Sequence, residues 1–330
     1  MAQPLEEGEL DSHVPIVQSL FNPAWWCRNP HLQTLWPLAA KPPHPQLSRE
    51  RIELPDGDFI DLDWTTNIND PIVLVMHGLE GSAHSHYVRR LLHALPRKGL
   101  RGVLMHFRGR SGEPNRLPRA YHSGETGDLR FVFDLLSTRG DKLHAIVAYS
   151  LGGNVLLKWL GEKQTTLPDV KAVAVSVPFV LSELADHMNK GFPRFYQRHL
   201  VNSLHKTFEA KAKIIELPIA TERIEKMNSF WEFDDKVTAP LHGFASAEEY
   251  YAKSSSRQFL NKITTPTLVI QSKDDPFMSP RVIPDEHELS NSVTLELSDR
   301  GGHVGFISGG TPKSPQFWLE KRIIKNLTGR

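Results

Sequence analysis

A serine set between small residues follows an apolar run near the middle of the chain. The run Leu143–Ala148 is followed by a tyrosine, Ser150, a leucine and two glycines, and Val155–Leu160 then has a helical pattern. A strained strand-to-helix turn of this type, the nucleophile elbow, pushes the serine Oγ out above a sheet. The turn requires small residues two positions before and after the serine, where Ala148 replaces the usual glycine and Gly152 keeps it. We therefore predict Ser150 as a nucleophile, the alternative being a serine that caps an ordinary helix.

A glycine turn earlier in the chain offers hydrogen-bond donors for such a nucleophile. The apolar run Ile72–Met76 leads directly into His77-Gly-Leu-Glu-Gly81. A turn in this place presents the backbone N–H of Leu79 toward the serine, and with the N–H of Leu151 it would form an oxyanion hole. We expect the His77 side chain to shape the loop and to take no part in proton transfer.

Two later segments supply a candidate acid and a candidate base. Asp274 and Asp275 follow the apolar strand Thr267–Gln271, at the sheet edge where α/β sites collect. Asp275 is favoured because Asp followed by Pro is frequent in this architecture, while Asp274 stays open. His303 follows the last predicted strand among three glycines, and an imidazole with a pKa near 6.5 can take a serine proton and return it to a leaving group. The chain order Ser150, Asp275, His303 is that of α/β-hydrolases and differs from those of chymotrypsin and subtilisin.

Other motifs favour neither a metal ion nor an organic cofactor. His84-Ser-His86 resembles a metal-binding pair, but no further cluster of ligands accompanies it. Gly109-Arg-Ser-Gly112 lacks the spacing of a dinucleotide loop and the lysine of a phosphate loop. The single cysteine, Cys27, excludes an intramolecular disulfide and any Cys-rich metal site, and we expect it to be a small buried hydrophobic side chain. No cofactor and no metal are therefore predicted.

Strand-like and helix-like segments alternate along most of the chain, which predicts a single α/β domain over residues 1–330. The alternation favours a mostly parallel central sheet flanked by helices, with right-handed crossovers. The predicted strands are Ile72–Met76, Gly102–Phe107, Leu143–Ala148, Lys171–Val177, Thr267–Gln271 and Val293–Leu297, and the predicted helices are Val88–Leu95, Leu129–Leu136, Val155–Leu160 and Pro315–Leu327. Arg51–Leu54 and Phe59–Trp64 flank a turn and indicate a β-hairpin. Asp128 is expected to cap the helix that follows it.

Two parts of the chain depart from this alternation. Residues 1–48 are predicted to be an N-terminal arm and aromatic segment, with a polar arm over residues 1–20. Residues 21–37 hold three tryptophans and three prolines, which predicts an irregular segment that packs its aromatic rings on the domain. Residues 178–259 are predicted to be an inserted helical cap. The aromatic side chains of the insert either line an acyl pocket or form its own core, and the sequence leaves both open.

The overall composition excludes several classes of partner. The 330 residues include 39 Lys and Arg against 38 Asp and Glu, for a net charge of +1. No global basic field is present to attract nucleic acid or anionic lipid, so neither is expected as a primary partner. No apolar run approaches the roughly 18 residues of a transmembrane helix, and the N-terminus lacks the layout of a signal peptide. We expect a cytoplasmic protein without a transmembrane anchor, and its oligomeric state stays open.

The motifs in combination resemble those of one family. The sequence is similar to the YheT-type branch of the α/β-hydrolase superfamily (AB hydrolase family 4), which holds bacterial proteins classed as esterases, mammalian membrane-associated lipases and fungal ester-forming acyltransferases. The resemblance covers about residues 20–325. It rests on Asn29-Pro-His-Leu-Gln-Thr34, His77-Gly-Leu-Glu-Gly-Ser82, Phe107-Arg-Gly-Arg-Ser-Gly112, Ser123-Gly-Glu-Thr-Gly-Asp128 and a spaced run of residues from Asp234 to Asp275.

The resemblance implies an α/β-hydrolase fold with an inserted helical cap and a role for each matching residue. The nucleophile falls on Ser150, the acid on Asp275, the base on His303, and the oxyanion N–H groups on Leu79 and Leu151. It implies a serine hydrolase that cleaves short- to medium-chain carboxylic esters through an acyl-enzyme, with a small-molecule or lipid-like ester as substrate. The alternatives are an acyltransferase that makes esters from an acyl donor and an alcohol, and a non-catalytic binding protein with the same fold.

Overall fold

A nine-stranded sheet forms the centre of the part of the chain that the computed structural model describes, residues 15–40, 42–68, 71–163, 167, 169–219 and 221–329. Its strands are β1 (Ile16–Gln18), β2 (Leu47–Glu53), β3 (Phe59–Thr65), β4 (Ile72–Met76), β5 (Arg101–Met105), β6 (Leu143–Tyr149), β7 (Lys171–Val175), β8 (Thr267–Ser272) and β9 (Val293–Ser298). They lie in the order β1-β9-β8-β7-β6-β4-β5-β3-β2. Every neighbouring pair is parallel except β2 with β3 and β3 with β5. The predicted fold class and the predicted β-hairpin are therefore confirmed.

Helices cover both faces of this sheet. They are α1 (Pro30–Ala39), α2 (His86–Ala94), α3 (Gly127–Thr138), α4 (Leu151–Lys163), α5 (Leu181–Met188), α6 (Pro193–Ala212), α7 (Phe230–Phe233), α8 (Ala239–Leu241), α9 (Ala247–Ser254) and α10 (Leu319–Thr328). Alternate residues of the central strands enter two separate apolar layers, with Leu74 and Ile146 in one and Val75 and Val147 in the other. Within the described residues, we find no helix that combines the length and the apolar character needed to cross a membrane.

The N-terminal segment is more regular than its composition predicts. Residues 16–18 pair in parallel with β9, so the prediction of a polar arm is wrong there, and residues 1–14 lie outside the described part of the chain. Residues 30–39 form α1, which makes the prediction of an irregular segment wrong as well. Pro30 occupies the first helical position, where a backbone N–H would have no acceptor within the helix. The Asn29 side chain accepts hydrogen bonds from the amides of the first turn.

A second, two-stranded sheet precedes the final helix. β10 (Ile307–Thr311) and β11 (Ser314–Phe317) pair antiparallel, and the indole N–H groups of Trp26 and Trp36 donate hydrogen bonds of 3.0 Å to carbonyls of this hairpin. Because residues 314–317 are extended, the closing helix begins at Leu319 and not at Pro315 as predicted. Cys27 is buried nearby as expected, and burial raises the pKa of its thiol to about 11.

The Asp128 side chain does not cap α3, contrary to the prediction. The N-cap position is Thr126, and the Asp128 carboxylate accepts hydrogen bonds of 2.8 and 2.7 Å from the buried guanidinium of Arg108. Arg108 also donates to Asp58, at 2.9 Å. A buried guanidinium without acceptors would be strongly destabilising, so this charge network determines where the Asp128 side chain lies.

The chain between β7 and β8 contains α5 to α9 and a π-helical turn at Asp234–Thr238. Its buried side chains form an apolar cluster of their own, against which Leu79 also packs. Three phenylalanines of this cluster also line a cavity next to Leu151, namely Phe208, Phe230 and Phe233. The two roles that the sequence left open for the aromatic residues of the insert are therefore compatible.

Candidate active site

Ser150 stands in the sharp turn between β6 and α4. Its φ of 51° lies in the left-handed region, and its amide donates a hydrogen bond of 2.8 Å to the Val175 carbonyl. A residue other than glycine is strained in that conformation, as the elbow requires. A Cβ on Gly152 would lie 2.5 Å from the His77 carbonyl oxygen, so a side chain there would collide with the backbone after β4. Ala148, two residues before the serine, is fully buried in β6.

Three side chains from separate loops meet beside this turn. The Oγ atom of Ser150 lies 3.0 Å from Nε2 of His303, and Nδ1 of the same imidazole lies 2.7 Å from Oδ2 of Asp275. The other carboxylate oxygen of Asp275 accepts a hydrogen bond of 2.9 Å from the Phe277 amide. The Phe277 ring stacks on the imidazole, with 4.0 Å between ring centres and 9° between planes. The carboxylate at the edge of the imidazole and the phenyl ring on its face together direct Nε2 at the serine hydroxyl.

The adjacent carboxylate, Asp274, has different contacts. Its Oδ1 atom accepts a hydrogen bond of 2.9 Å from the Gly302 amide, and burial raises its pKa. The Ser272 hydroxyl donates a hydrogen bond of 2.7 Å to the Gly302 carbonyl. Of the two carboxylates that the sequence left open, Asp275 contacts the imidazole and Asp274 contacts the backbone of the loop that carries it.

Hydrogen bonds to side chains of α1 and of the residue after β7 hold the loop that carries His303. Thr34 Oγ1 accepts a hydrogen bond of 3.0 Å from the His303 amide, and Ser176 Oγ accepts one of 3.1 Å from the Val304 amide. A Cβ on Gly302 would lie 2.6 Å from a carbonyl oxygen of α1, so the helix packs directly on this loop. Sequence reasoning missed Thr34 and Ser176, although Thr34 ends the early motif on which the resemblance rests.

Leu79 and Leu151, the two candidate oxyanion residues, line a common cavity. Leu151 is the first residue of α4, so no carbonyl lies one turn earlier to accept from its N–H. The Leu79 amide makes no hydrogen bond within the described residues. A Cβ on Gly78, the residue before Leu79, would lie 3.1 Å from the Cβ of Ser150. The loop after β4 therefore approaches the serine closely.

The side chain of His77 is fully buried beneath this loop. Its Nδ1 lies 2.7 Å from the Gly78 carbonyl oxygen, and its Nε2 accepts a hydrogen bond of 3.3 Å from the Phe107 amide. Burial lowers the pKa of His77 to about 3, so the ring is neutral at physiological pH. These contacts confirm the prediction that His77 shapes the loop.

The cavity has a volume of about 90 Å³ and is lined by Leu79, Leu151 and several residues of the insert. Its lining is apolar at Leu151, Leu181 and Leu204 and polar at His122, Lys211 and His242. Lys211 is buried, and its Nζ donates a hydrogen bond of 2.8 Å to Asn115. Burial lowers the pKa of Lys211 to about 8. Sequence reasoning missed this polar part of the lining because its residues are scattered along the chain and form no motif.

Three residues near that polar part of the lining could approach a metal ion. The ligand-type atoms of His122, Glu125 and His242 lie within 4.8 Å of one another. Glu125 is already paired with the Arg119 guanidinium, and burial together with the charge of Arg119 lowers the pKa values of both histidines. Neutral imidazoles can ligate a metal ion, but the Arg119 guanidinium already occupies Glu125 and would repel a second cation beside it, so the arrangement is a poor metal centre.

Comparison with known proteins identifies the family. The α/β-hydrolase fold family matches residues 71–310. The chain belongs to the α/β-hydrolase family. This hydrolase is 46% identical over 308 residues to the Escherichia coli (strain K12) protein named "Putative esterase YheT", which places it in the YheT-type branch; the match covers 91% of this chain and 90% of that protein.

More distant relatives of the hydrolase carry related names. It is 28% identical over 331 residues to the Homo sapiens protein named Phospholipase ABHD3, covering 96% of this chain and 80% of that protein. It is 29% identical over 267 residues to the Saccharomyces cerevisiae protein named monoacylglycerol lipase, covering 78% of this chain and 59% of that protein. Together these relatives support ester hydrolysis as a general activity.

Solved structures share the fold of this hydrolase. The Pyrococcus furiosus esterase Pf2001 superposes with a TM-score of 0.53 at 17% identity, covering 88% of this chain and 99% of that chain. The Exiguobacterium antarcticum esterase EaEST superposes with a TM-score of 0.52 at 17% identity, covering 86% and 98%. At this identity the likeness concerns the fold alone.

Proposed function

We propose that this hydrolase cleaves carboxylic esters with Ser150 as the nucleophile, His303 as the general base and Asp275 as the residue that orients the imidazole. One observation carries the proposal: the contacts run without a break from the serine Oγ through the imidazole to the carboxylate, at 3.0 and 2.7 Å. The geometry suits nucleophilic catalysis, in which a weakly acidic hydroxyl needs an adjacent base.

In the acylation step, the Ser150 Oγ attacks the ester carbonyl carbon while Nε2 of His303 takes the hydroxyl proton. Asp275 holds Nδ1–H and stabilises the imidazolium that forms. The carbonyl π electrons move onto oxygen, and the N–H groups of Leu79 and Leu151 stabilise that negative charge. When the carbonyl re-forms, the bond to the alkoxy group breaks, and His303 returns the proton to the departing alcohol. The acyl group remains on Ser150.

In the deacylation step, water replaces the alcohol. His303 takes a proton from the water as its oxygen attacks the acyl carbon, and the same two amides stabilise the second oxyanion. The bond to Ser150 then breaks, the carboxylic acid leaves, and the proton on His303 returns to the serine oxygen. An alcohol in place of water would give acyl transfer by the same steps, and the partition of products between acid and new ester measures which acceptor the site prefers.

The cavity supports esters with short to medium acyl chains. Its apolar wall near Leu151, with Leu181 and Phe208, fits a hydrocarbon chain, and a volume of about 90 Å³ limits the length of that chain. Aryl esters of graded chain length test this point. Turnover should pass through a maximum at a short or medium chain, and a steady rise toward long chains would contradict the assignment.

Labelling with a fluorophosphonate probe tests the proposed nucleophile. The wild type should be labelled, the Ser150→Ala variant should not, and Ser137→Ala, which changes an exposed serine on α3, should be labelled like the wild type. A folded wild type that resists the probe would contradict the proposal and favour a binding protein with the same fold. Labelling that persists in Ser150→Ala would assign the nucleophile to another residue.

A further inference from the structure

Large exposed apolar side chains are unevenly distributed over the described residues. Six of the eight lie on two stretches of chain: Leu20, Trp25, Leu32, Leu38, Phe192 and Phe195. The other two, Ile68 and Ile214, lie elsewhere. Single exposed hydrophobic residues are normal on a protein surface, whereas a contiguous exposed patch marks an interaction site.

The two stretches meet where α1 packs on the start of α6. The His31 ring lies 4.3 Å from the Phe192 ring, and its Nδ1 lies 2.9 Å from the Tyr196 hydroxyl. Phe192 and Phe195 are 54% and 62% exposed, and Leu32, which follows His31, is 41% exposed. We call Leu32, Phe192 and Phe195 the apolar rim.

The apolar rim borders the candidate active site. Tyr196, which packs against both phenylalanines of the rim, lies 5.0 Å from the Phe277 ring, and Phe277 stacks on His303 at 4.0 Å. A continuous series of ring contacts therefore connects the exposed surface with the imidazole. The apolar rim therefore lies within three ring contacts of the candidate base.

Positive charge without partners accompanies the rim. Lys190, Arg194 and Arg198 are exposed, and none of them makes an ion pair or a side-chain hydrogen bond with the described residues. The chain has no acidic residue between Asp186 and Glu209. Many arginines elsewhere bind carboxylates, as in the ion pairs of Arg49, Arg51, Arg108 and Arg110. Basic residues interleaved with exposed aromatic rings are typical of segments that lie in a membrane interface.

We propose that the apolar rim and these three cations form a docking surface for an anionic lipid bilayer. Phe192 and Phe195 would enter the headgroup region while the cations meet lipid phosphates, so that the candidate active site lies close to the lipid. The net charge of +1 does not oppose this, because attraction to a charged surface falls off within a Debye length of about 8–10 Å and depends on the local charge. The lack of a strong global field therefore excludes only a long-range electrostatic attraction to the bilayer.

The test uses the full chain with Ser150→Ala, so that lipid is not consumed, and sedimentation with vesicles. The protein should bind vesicles of phosphatidylcholine mixed with phosphatidylglycerol, bind phosphatidylcholine alone weakly, and dissociate as the NaCl concentration rises. Adding Lys190→Gln, Arg194→Gln and Arg198→Gln should weaken binding to the mixed vesicles about 100-fold, because each basic residue at an anionic surface contributes about 1 kcal/mol. The matched control neutralises three exposed cations elsewhere: Arg97, Lys98 and Arg130.

A second variant tests the aromatic residues. Phe192→Ser with Phe195→Ser should weaken binding about 10-fold or more, because two rings no longer leave water. Its matched control, Ile68→Ser with Ile214→Ser, removes the exposed apolar residues outside the two stretches and should bind like the parent. The melting temperatures of all variants are compared with that of the parent protein to show that each is folded.

Three results would overturn the docking surface. The parent protein could stay in the supernatant with mixed vesicles, or the rim variants could bind as well as their controls. Alternatively, polyglutamate could compete for the cations while the double phenylalanine variant binds vesicles normally, which would assign the surface to an acidic polypeptide. Because every protein in this experiment lacks the nucleophile, failure here leaves the esterase proposal untouched.

Discussion

The Glu80 carboxylate accepts a hydrogen bond of 2.6 Å from the Ser203 hydroxyl of α6, and so joins the loop after β4 to the inserted helices. The same carboxylate accepts three further hydrogen bonds, of 3.0 Å each, from Thr207, Arg110 and Tyr121. Glu80 has a φ of 56° and directly follows Leu79. This buried network therefore holds in place the loop that carries Leu79, the proposed oxyanion donor.

Glu80→Gln should lower kcat for ester hydrolysis about 10- to 100-fold while KM changes less than about threefold, because a misdirected donor weakens the transition state more than the ground state. Steady-state kinetics with a soluble aryl ester measure both constants. Glu113→Gln is the control, since Glu113 is an exposed carboxylate paired with Arg51. A rise in KM at constant kcat would mean that Glu80 contributes to substrate binding instead.

Ser150→Ala and His303→Ala should each lower kcat by about 10⁴-fold or more, and the double variant should lose little beyond that. A nucleophile and its base act as one unit, so once one of them is missing, removing the other causes little further loss of activity. The measurement is single-turnover hydrolysis of an activated ester. Losses that multiply in the double variant would show that the two residues act independently.

Asp275→Asn should lower kcat about 10⁴-fold, because an amide at that place favours the wrong imidazole tautomer. Asp274→Asn should have a smaller effect on kcat, below about 10-fold, since its carboxylate binds the Gly302 amide and not the imidazole. Kinetics of the two variants side by side, with melting temperatures, separate the roles. The opposite ranking would move the orienting role to Asp274.

The stability of the protein should fall as the pH drops from 7.5 to 5.5. Burial lowers the folded-state pKa of His77 to about 3, and those of His86 and His122 well below the usual 6.5, so the unfolded chain binds more protons below pH 6.5. Asp234 acts oppositely, because burial raises its folded-state pKa to about 6 from 3.8 and the folded chain then holds an extra proton. His242, whose folded-state pKa burial lowers to about 4, adds to this effect. Each of the four histidines contributes about 1 kcal/mol between pH 7.5 and 5.5 and Asp234 opposes them by about the same amount, so the net loss is a few kcal/mol.

Urea unfolding at the two pH values measures this loss. Asp234→Asn removes the opposing group, so its loss between pH 7.5 and 5.5 should be larger than that of the wild type by about 1 kcal/mol. A free energy of unfolding that stays constant over this range would mean that these histidines take up protons in the folded state.

The sequence alone determined the features that depend on neighbours along the chain. Apolar runs of strand length predict β4 and β6 because a strand covered on both faces has no polar position. The elbow at Ser150 is predictable because its steric demands act within two residues on either side. The chain order of nucleophile, acid and base follows from the order of the strands that precede them.

The features that depend on distant partners follow from the folded structure and not from local sequence. β1 becomes a strand because Ile16–Gln18 pair with Leu295–Leu297, far along the chain. Asp274 and Asp275 are neighbours with the same chemistry, and only the packing of the base loop determines which one contacts His303. Composition likewise averages charge over the whole chain, whereas folding brings α1 and the basic start of α6 together beside the imidazole.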